Sequence, residues 1–523
     1  MIPLLRLTWV QPEDLLGHEL HQAEEDGREP SAIASRWHRA GGPPSPQRAG
    51  ASPHPASPYL RALAQDLLDE LADLPSRLKD REPTTLPKIK ALCPNWPTTP
   101  SRPATAEGSL STAVGNRSAG AMGVPPLERS REWGRVGTAD PSRSSGGLGA
   151  APPVSGRGGS GEEETSLTPT TLHPRLEAAW LGRAAGCLLG KPVEKLPLDG
   201  IRALARATGN WPLTTWFTER GLPPHLKATH PWNRRSATTS LAENIDGMPE
   251  DDDLNYPLLN LLLLQRHGKR FTTTDVARLW LDELPAGRTF TAERVAYRNL
   301  LGGIEPPHTA RHRNPFREWI GALIRADAHG WTNPGAPATA AEQAHRDATL
   351  THTANGVYAA MFTAAAIAEA ATGTSDIHAC LRTGLTVVPP ESRLAEAVRQ
   401  AIQLAAEHRD FETVVDELHA THAAYHWVHA IPNTALLAAA LTHADGDFTA
   451  SICRVVSGGW DTDSNGATAG SITGLLAGAP EAIPSRWTTP LKNRLATSIG
   501  DFNGTGFDTL ADLTAQLATR PTA

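Results

Sequence analysis

Gly466, Gly470, Gly474 and Gly478 recur at every fourth position, with Ala467 and Ser471 beside them. On a helix that spacing puts all four on one face. Each glycine inside a helix costs about 1 kcal/mol relative to alanine. A stripe of four therefore predicts that a second backbone comes very close to this helix. A chain built around such a contact must pack helix on helix. The stripe also starts directly after an acidic turn, Ser457-Gly458-Gly459-Trp460-Asp461-Thr462-Asp463-Ser464-Asn465.

The rest of the C-terminal two thirds has the same character. Leu176, Ala179, Trp180, Ala184, Cys187 and Leu188 fall on one helix face, as do Tyr358, Met361, Phe362 and Ala365 until Glu369 interrupts them. The run from Leu258 to Leu264 is apolar nearly all round, the pattern of a central, buried helix. Alternating strand-like runs are scarce. The predicted fold class is all-α, a compact multi-helix bundle around one core.

Three zones divide the chain. Residues 171–523 form the compact helical domain. Residues 98–170, with Ser144-Ser145-Gly146-Gly147 and Gly156-Arg157-Gly158-Gly159-Ser160-Gly161, lack apolar periodicity and cannot offset their chain entropy by burial, so they are predicted to be a disordered linker. Residues 1–97 contain an amphipathic helix on Leu60, Leu63, Leu67, Leu71 and Leu74, stopped by Pro75, whose apolar stripe needs a surface to dock on. A formal charge of −7 argues against a nucleic-acid partner. Cys93, Cys187, Cys380 and Cys453 are scattered, which gives neither a zinc ribbon nor a disulfide framework. Met1-Ile2-Pro3-Leu4-Leu5-Arg6 is too short and too soon polar for a signal peptide. No apolar run has the length of a membrane span, so a cytoplasmic location is expected.

Two acidic clusters carry the candidate chemistry. Pro249-Glu250-Asp251-Asp252-Asp253 precedes the apolar helix, and Asp461-Thr462-Asp463-Ser464 precedes the glycine stripe. Acids at a helix start are also ordinary capping residues, stabilised by the dipole and free N–H groups. Three adjacent aspartates repel one another, however, and this helix is too apolar to lie at the surface. Carboxylates crowded at a core call for a cation, and oxygen donors suit Mg²⁺, Mn²⁺ or Ca²⁺. If the clusters meet, they can hold two cations about 3.5–4 Å apart. His419, His422, His426 and His429, spaced three, four and three apart, suggest a zinc site by their i, i+4 spacing. Single histidines are more often structural, and that reading is preferred.

Four segments resemble the ADP-ribosylglycohydrolase family, the group of dinitrogenase reductase-activating glycohydrolase and the J1-crystallin-like proteins. They are Gly182-Arg183-Ala184-Ala185-Gly186-Cys187-Leu188-Leu189-Gly190-Lys191-Pro192-Val193-Glu194, the aspartate triplet, Leu350-Thr351-His352-Thr353-Ala354-Asn355-Gly356, and Gly459-Trp460-Asp461-Thr462-Asp463-Ser464-Asn465. The resemblance covers about residues 172–490. Trp9-Val10-Gln11-Pro12-Glu13-Asp14 looks like an N-terminal piece of one bacterial branch.

The resemblance implies two Mg²⁺ ions, with Mn²⁺ as a substitute, held by Asp251, Asp252, Asp253, Asp461, Asp463 and Ser464. Asp252 and Asp253 match the family's aspartate pair in the preferred register; the other register uses Glu250, Asp251 and Asp252. Glu194, Asp252 and Asp463 are the implied catalytic residues, with Glu194 in a gating or general-base role. His352, Gly356, Trp460, His429 and Asn433 are the implied substrate contacts. The implied activity is hydrolysis of the glycosidic bond between ADP-ribose and a protein side chain or small molecule. Two departures bear on it: Ile320 stands where relatives have asparagine, and Cys187 where they have aspartate. They leave open an inactive ADP-ribose-binding scaffold or a metal-dependent hydrolase of another nucleotide or glycoside.

Overall fold

The glycine stripe forms one side of a two-sided seam. The computed structural model describes residues 9–43, 49–52, 54–98 and 168–520. The helices that position the site are, in chain order, α1 (Pro12–Glu25), α2 (Pro58–Asp73), α3 (Pro169–Gly190), α4 (Asp252–His267), α5 (Ala354–Ala370), α6 (Arg393–Glu407), α7 (Ala430–Ala444), α8 (Thr462–Ala477) and α9 (Phe507–Thr519). In the α3–α8 seam, a Cβ added at Gly186 would stand 1.8 Å from the Gly466 carbonyl oxygen. One added at Gly470 would stand 2.0 Å from the Gly182 oxygen, and one at Gly474 2.3 Å from the Ala178 oxygen. Backbone rests on backbone, and any side chain would wedge the helices apart. Gly478 does something else: it is the C-cap of α8 at φ +86°, a left-handed conformation that glycine adopts without strain. The expected stripe of four is thus a seam of three and a cap.

Local signals start and stop these helices. Thr168 and Thr171 form a reciprocal cap at the start of α3, and Pro169 occupies its first turn. The helix therefore begins three residues before Leu172. It is buried on almost every side from Ala178 to Gly190. Asp251 caps α4 through its side chain, which accepts from the Asp253 N–H. From Leu258 to Leu264 only Leu262 is not fully buried. In α5 the single residue not fully buried is Glu369. Among the described residues there is no β-strand, only the isolated bridges Met248–Leu495 and Trp319–His429. The fold is all-α, as the periodicity predicts. No helix among the described residues is long and apolar enough to cross a membrane.

The N-terminal helices lie on this body. In α2, Ala64, Leu67, Leu68 and Leu71 are buried, and the helix packs against α1. Charge pairs then tie the segment down. Arg317 bridges Glu19 and Asp26 at 2.7 Å each, and Arg393 bridges Glu82 at 2.7 Å and Glu318 at 2.8 Å. Tyr358 on α5 donates its hydroxyl to the Pro83 carbonyl. The predicted linker falls almost wholly outside the described residues; only 98 and 168–170 are described, the last three leading into α3.

Candidate metal centre

The seam brings the two acidic clusters together. Gly190 ends α3 against the start of α8, and the Thr462 hydroxyl donates to the Gly190 carbonyl at 2.8 Å. A 3-10 turn, Lys191–Val193, then delivers Glu194. Before α8 the backbone takes positive φ at Gly459 (+81°) and Trp460 (+56°), which turns Asp461 and Asp463 inward. Both aspartates are buried, as is Ser464, whose N–H donates to Asp463 Oδ1 at 3.2 Å. Glu194, Asp461 and Asp463 each offer a carboxylate oxygen, all within 4.8 Å of one another. Cys187, Asp251 and Asp253 form a second such group within the same limit.

Asn433 on α7 secures the second loop. Its Oδ1 accepts from the Asp461 N–H at 3.1 Å and from Asn465 Nδ2 at 2.7 Å, while its amide donates to the Trp427 and His429 carbonyls. Glu194 accepts from Asn233 Nδ2 at 2.7 Å and pairs with Lys195. In the first loop the three aspartates differ. Asp251 pairs with the ammonium of Lys191, a side chain 8 % exposed. Asp253 is 3.5 Å from Arg183 Nη2 and receives the Cys187 thiol at 3.6 Å. Asp252 is half-buried and lies within electrostatic reach of Asp463 and Glu194. Glu250 points elsewhere: it pairs with Arg288 at 2.7 Å and accepts from Ser498 and Asn255.

The crowding shows in the proton affinities. Burial, then Glu194 and Asp251, push Asp463 up to about 7. Burial and Asp463 push Asp461 well above the carboxylate range; burial and Asp251 do the same to Asp252 and Asp253. Burial also acts on Asp251, yet the Lys191 ammonium outweighs it and holds this carboxyl below its usual value. Carboxylates so placed favour a cation over solvent-free repulsion. Asp253 Oδ1 is buried with no hydrogen-bond partner, and the cation that faces it is the Arg183 guanidinium 3.5 Å away. Burial, then Asp251 and Asp253, raise the Cys187 thiol well above its usual value. The donor set is oxygen, which fits Mg²⁺ or Mn²⁺ and not zinc.

The implied substrate contacts separate. Trp460, half-buried, stacks on His419 with ring centroids 4.1 Å apart, at the edge of the second loop. His352 is fully buried, with Nδ1 2.6 Å from the Thr351 hydroxyl. Gly356 admits the Arg317–Glu318 backbone, since a Cβ there would stand 2.7 Å from the Arg317 oxygen. His352 Nε2 is buried without a hydrogen-bond partner. His429 is buried, caps α7, and has Nε2 3.5 Å from Glu25 of α1. The four histidines do not share one helix face. His419 lies on the helix Phe411–Thr421, His422 caps its end, His426 stacks on Trp319 at 4.3 Å, and His429 begins α7.

Sequence reasoning missed three side chains here: Lys191, Arg183 and Asn233. Arg183 donates to the Asp253 and Ile324 carbonyls at 2.7 Å and pairs with Asp327 at 2.9 Å. The signal was available for two of them. Arg183 and Lys191 are charges embedded in an apolar, glycine-rich helix and its end, where an unpaired cation is not tolerated.

The fold is an all-α body with two groups of acidic side chains, at the starts of two helices, that could hold a metal ion. The ADP-ribosylglycohydrolase family model matches residues 168–522, and the chain belongs to that family. Among solved structures, an ADP-ribosylglycohydrolase-related protein complex is similar, at 21% identity and a TM-score of 0.43, over 67% of this chain and 100% of that one. No curated protein matches. The family supports a glycohydrolase-type function.

Proposed function

We propose that this protein hydrolyses the glycosidic bond joining ADP-ribose to a protein side chain or a small molecule, with Mg²⁺ held at the acidic centre and Mn²⁺ as a substitute. The observation that carries it is the Glu194–Asp461–Asp463 group, with Glu194 half-buried and both aspartates buried, three oxygen donors within 4.8 Å and no zinc-type ligand among them. Asp251, Asp252, Asp253 and Ser464 complete the candidate donor set. The ion these residues would hold would supply Lewis acidity, orienting ribose hydroxyls and making a water more acidic. Glu194, held by Asn233 and Lys195, takes the proton of the water that attacks the anomeric carbon. The leaving group departs from that carbon, which carries positive charge as the bond breaks. Trp460 offers a ring at the rim for an adenine or ribose face.

One observation favours a second reading, a protein that binds ADP-ribose without turning it over. Ile320 is a buried apolar side chain and offers no polar group to a substrate, and its backbone N–H donates to the Val428 carbonyl at 2.9 Å. The deciding experiment is incubation with Mg²⁺ and a panel of substrates: ADP-ribosylated arginine, serine and asparagine peptides and an O-acyl-ADP-ribose. Release of free ADP-ribose from any of them, abolished by EDTA, supports the hydrolase. Binding without release supports the second reading. Neither binding nor release contradicts both and favours another glycoside or nucleotide.

A further inference from the structure

The two groups of candidate ligands carry different built-in charge. In the Glu194–Asp461–Asp463 group the one cationic ion-pair partner among the described residues is Lys195, on Glu194, and its side chain is 60% exposed. Such an exposed ammonium is free to swing into solvent. In the Cys187–Asp251–Asp253 group both carboxylates already face cations. Asp251 is paired with the Lys191 ammonium, and Asp253 has the Arg183 guanidinium 3.5 Å away. Neither cation can leave. Arg183 is fully buried, anchored by two carbonyls and Asp327. Lys191 sits in the turn that Thr462 pins to the end of α3, and its side chain is almost fully buried. Its ion-pair partner is Asp251 of the first loop, and Asp463 of the second lies within its electrostatic reach.

We infer that the Lys191 ammonium holds the place of one of the two cations, so that this centre binds a single divalent ion, on Glu194, Asp461 and Asp463. This rests on the reading that the acidic centre is a metal site and deepens it. A divalent ion on Asp251 would sit against a fixed like charge in a water-poor setting, where repulsion is strong. An ion on the Glu194 group would not. Lys191 is then a positioning residue. It holds Asp251 and supplies fixed positive charge where a second ion would otherwise supply it.

The test counts ions and does not depend on turnover. Mn²⁺ is titrated into the full chain by equilibrium dialysis, and the bound ion is read by electron paramagnetic resonance. The wild type is expected to hold one Mn²⁺ per chain with the hyperfine pattern of an isolated ion. Lys191→Met is expected to hold two, with the spectrum of an exchange-coupled pair. Lys191→Arg, which keeps the charge, is expected to stay at one. Circular dichroism checks that each variant is folded; if Lys191→Met is not, the wild-type count and Lys191→Arg decide. Two coupled ions in the wild type, or in Lys191→Arg, overturn the inference and leave the metal-centre reading standing. One ion in a folded Lys191→Met also overturns it. No bound ion in the wild type overturns both.

Discussion

Asn433 holds the second acidic loop through a single oxygen, which takes both the Asp461 N–H and the Asn465 amide. Asn433→Ala leaves two buried donors unpaired, a cost of about 1–3 kcal/mol. It is expected to weaken Mg²⁺ binding roughly 10–100-fold, the usual effect of losing a residue that orients a ligand; calorimetric titration measures it. Asp463→Asn removes a donor itself. It is expected to abolish both Mg²⁺ binding and ADP-ribose release, and occupancy with activity retained would sink the ligand role. At this scale the sequence was legible in part. The carboxylates of both clusters stand out as acids beside apolar or glycine-rich helices. The division of labour among Asp251, Asp252 and Asp253 was not legible, because it depends on Lys191, Arg183 and Cys187, which reach them from another helix. Asn433 was expected to touch substrate; its brace on the second loop was not legible, because no spacing in the chain reveals it.

At the scale of the element, the α3–α8 seam is what makes two clusters into one site. Gly470→Ala would place a methyl group 2.0 Å from the Gly182 carbonyl oxygen. The helices must separate, at a cost of about 1–3 kcal/mol or more, and the Glu194 turn must shift against the Asp461 loop. Thermal unfolding is expected roughly 5 °C lower, with weaker Mg²⁺ binding in the same variant. Gly287→Ala, where a Cβ meets nothing within 4 Å, is the control and should leave metal binding unchanged. The need for a close backbone was legible from the stripe in α8. Its partner was not, since Gly182, Gly186 and Gly190 lie nearly three hundred positions earlier and read as part of a motif. The capping role of Gly478 needs a backbone angle that no spacing reveals.

Across the whole molecule, buried charge joins the N-terminal helices to the family domain. Arg317 lies between Glu19 and Asp26, and Arg317→Met removes one of the two guanidinium partners these carboxylates share, leaving them to Arg28, which is expected to cost about 1.5–3 kcal/mol. Limited proteolysis should then cut the residues 9–98 segment faster than in the wild type. Glu25 makes this junction sensitive to pH. Burial, and next the Glu318 charge, raise it from 4.5 to about 8. The folded chain therefore keeps this proton between about pH 5 and 8 while the unfolded chain gives it up, so stability falls as pH rises through that window. His429 beside it is pushed well below its usual value by burial and stays neutral, so it offers no compensating charge. Glu25→Gln is expected to flatten the fall, measured as unfolding temperature against pH. The amphipathic helix at Leu67 and Leu71 was legible as something that must dock; the charges that dock it lie on both sides of the chain's longest low-complexity stretch, and periodicity says nothing about them. The central claim is that a divalent cation at the Glu194–Asp461–Asp463 group drives release of ADP-ribose. The most direct test measures Mg²⁺ occupancy and ADP-ribose release on the same samples across a Mg²⁺ titration after EDTA treatment. The account predicts that release is absent in the metal-free protein and rises in proportion to occupancy. Release at a rate independent of occupancy, or none from the fully occupied protein on any ADP-ribosylated substrate, would contradict it.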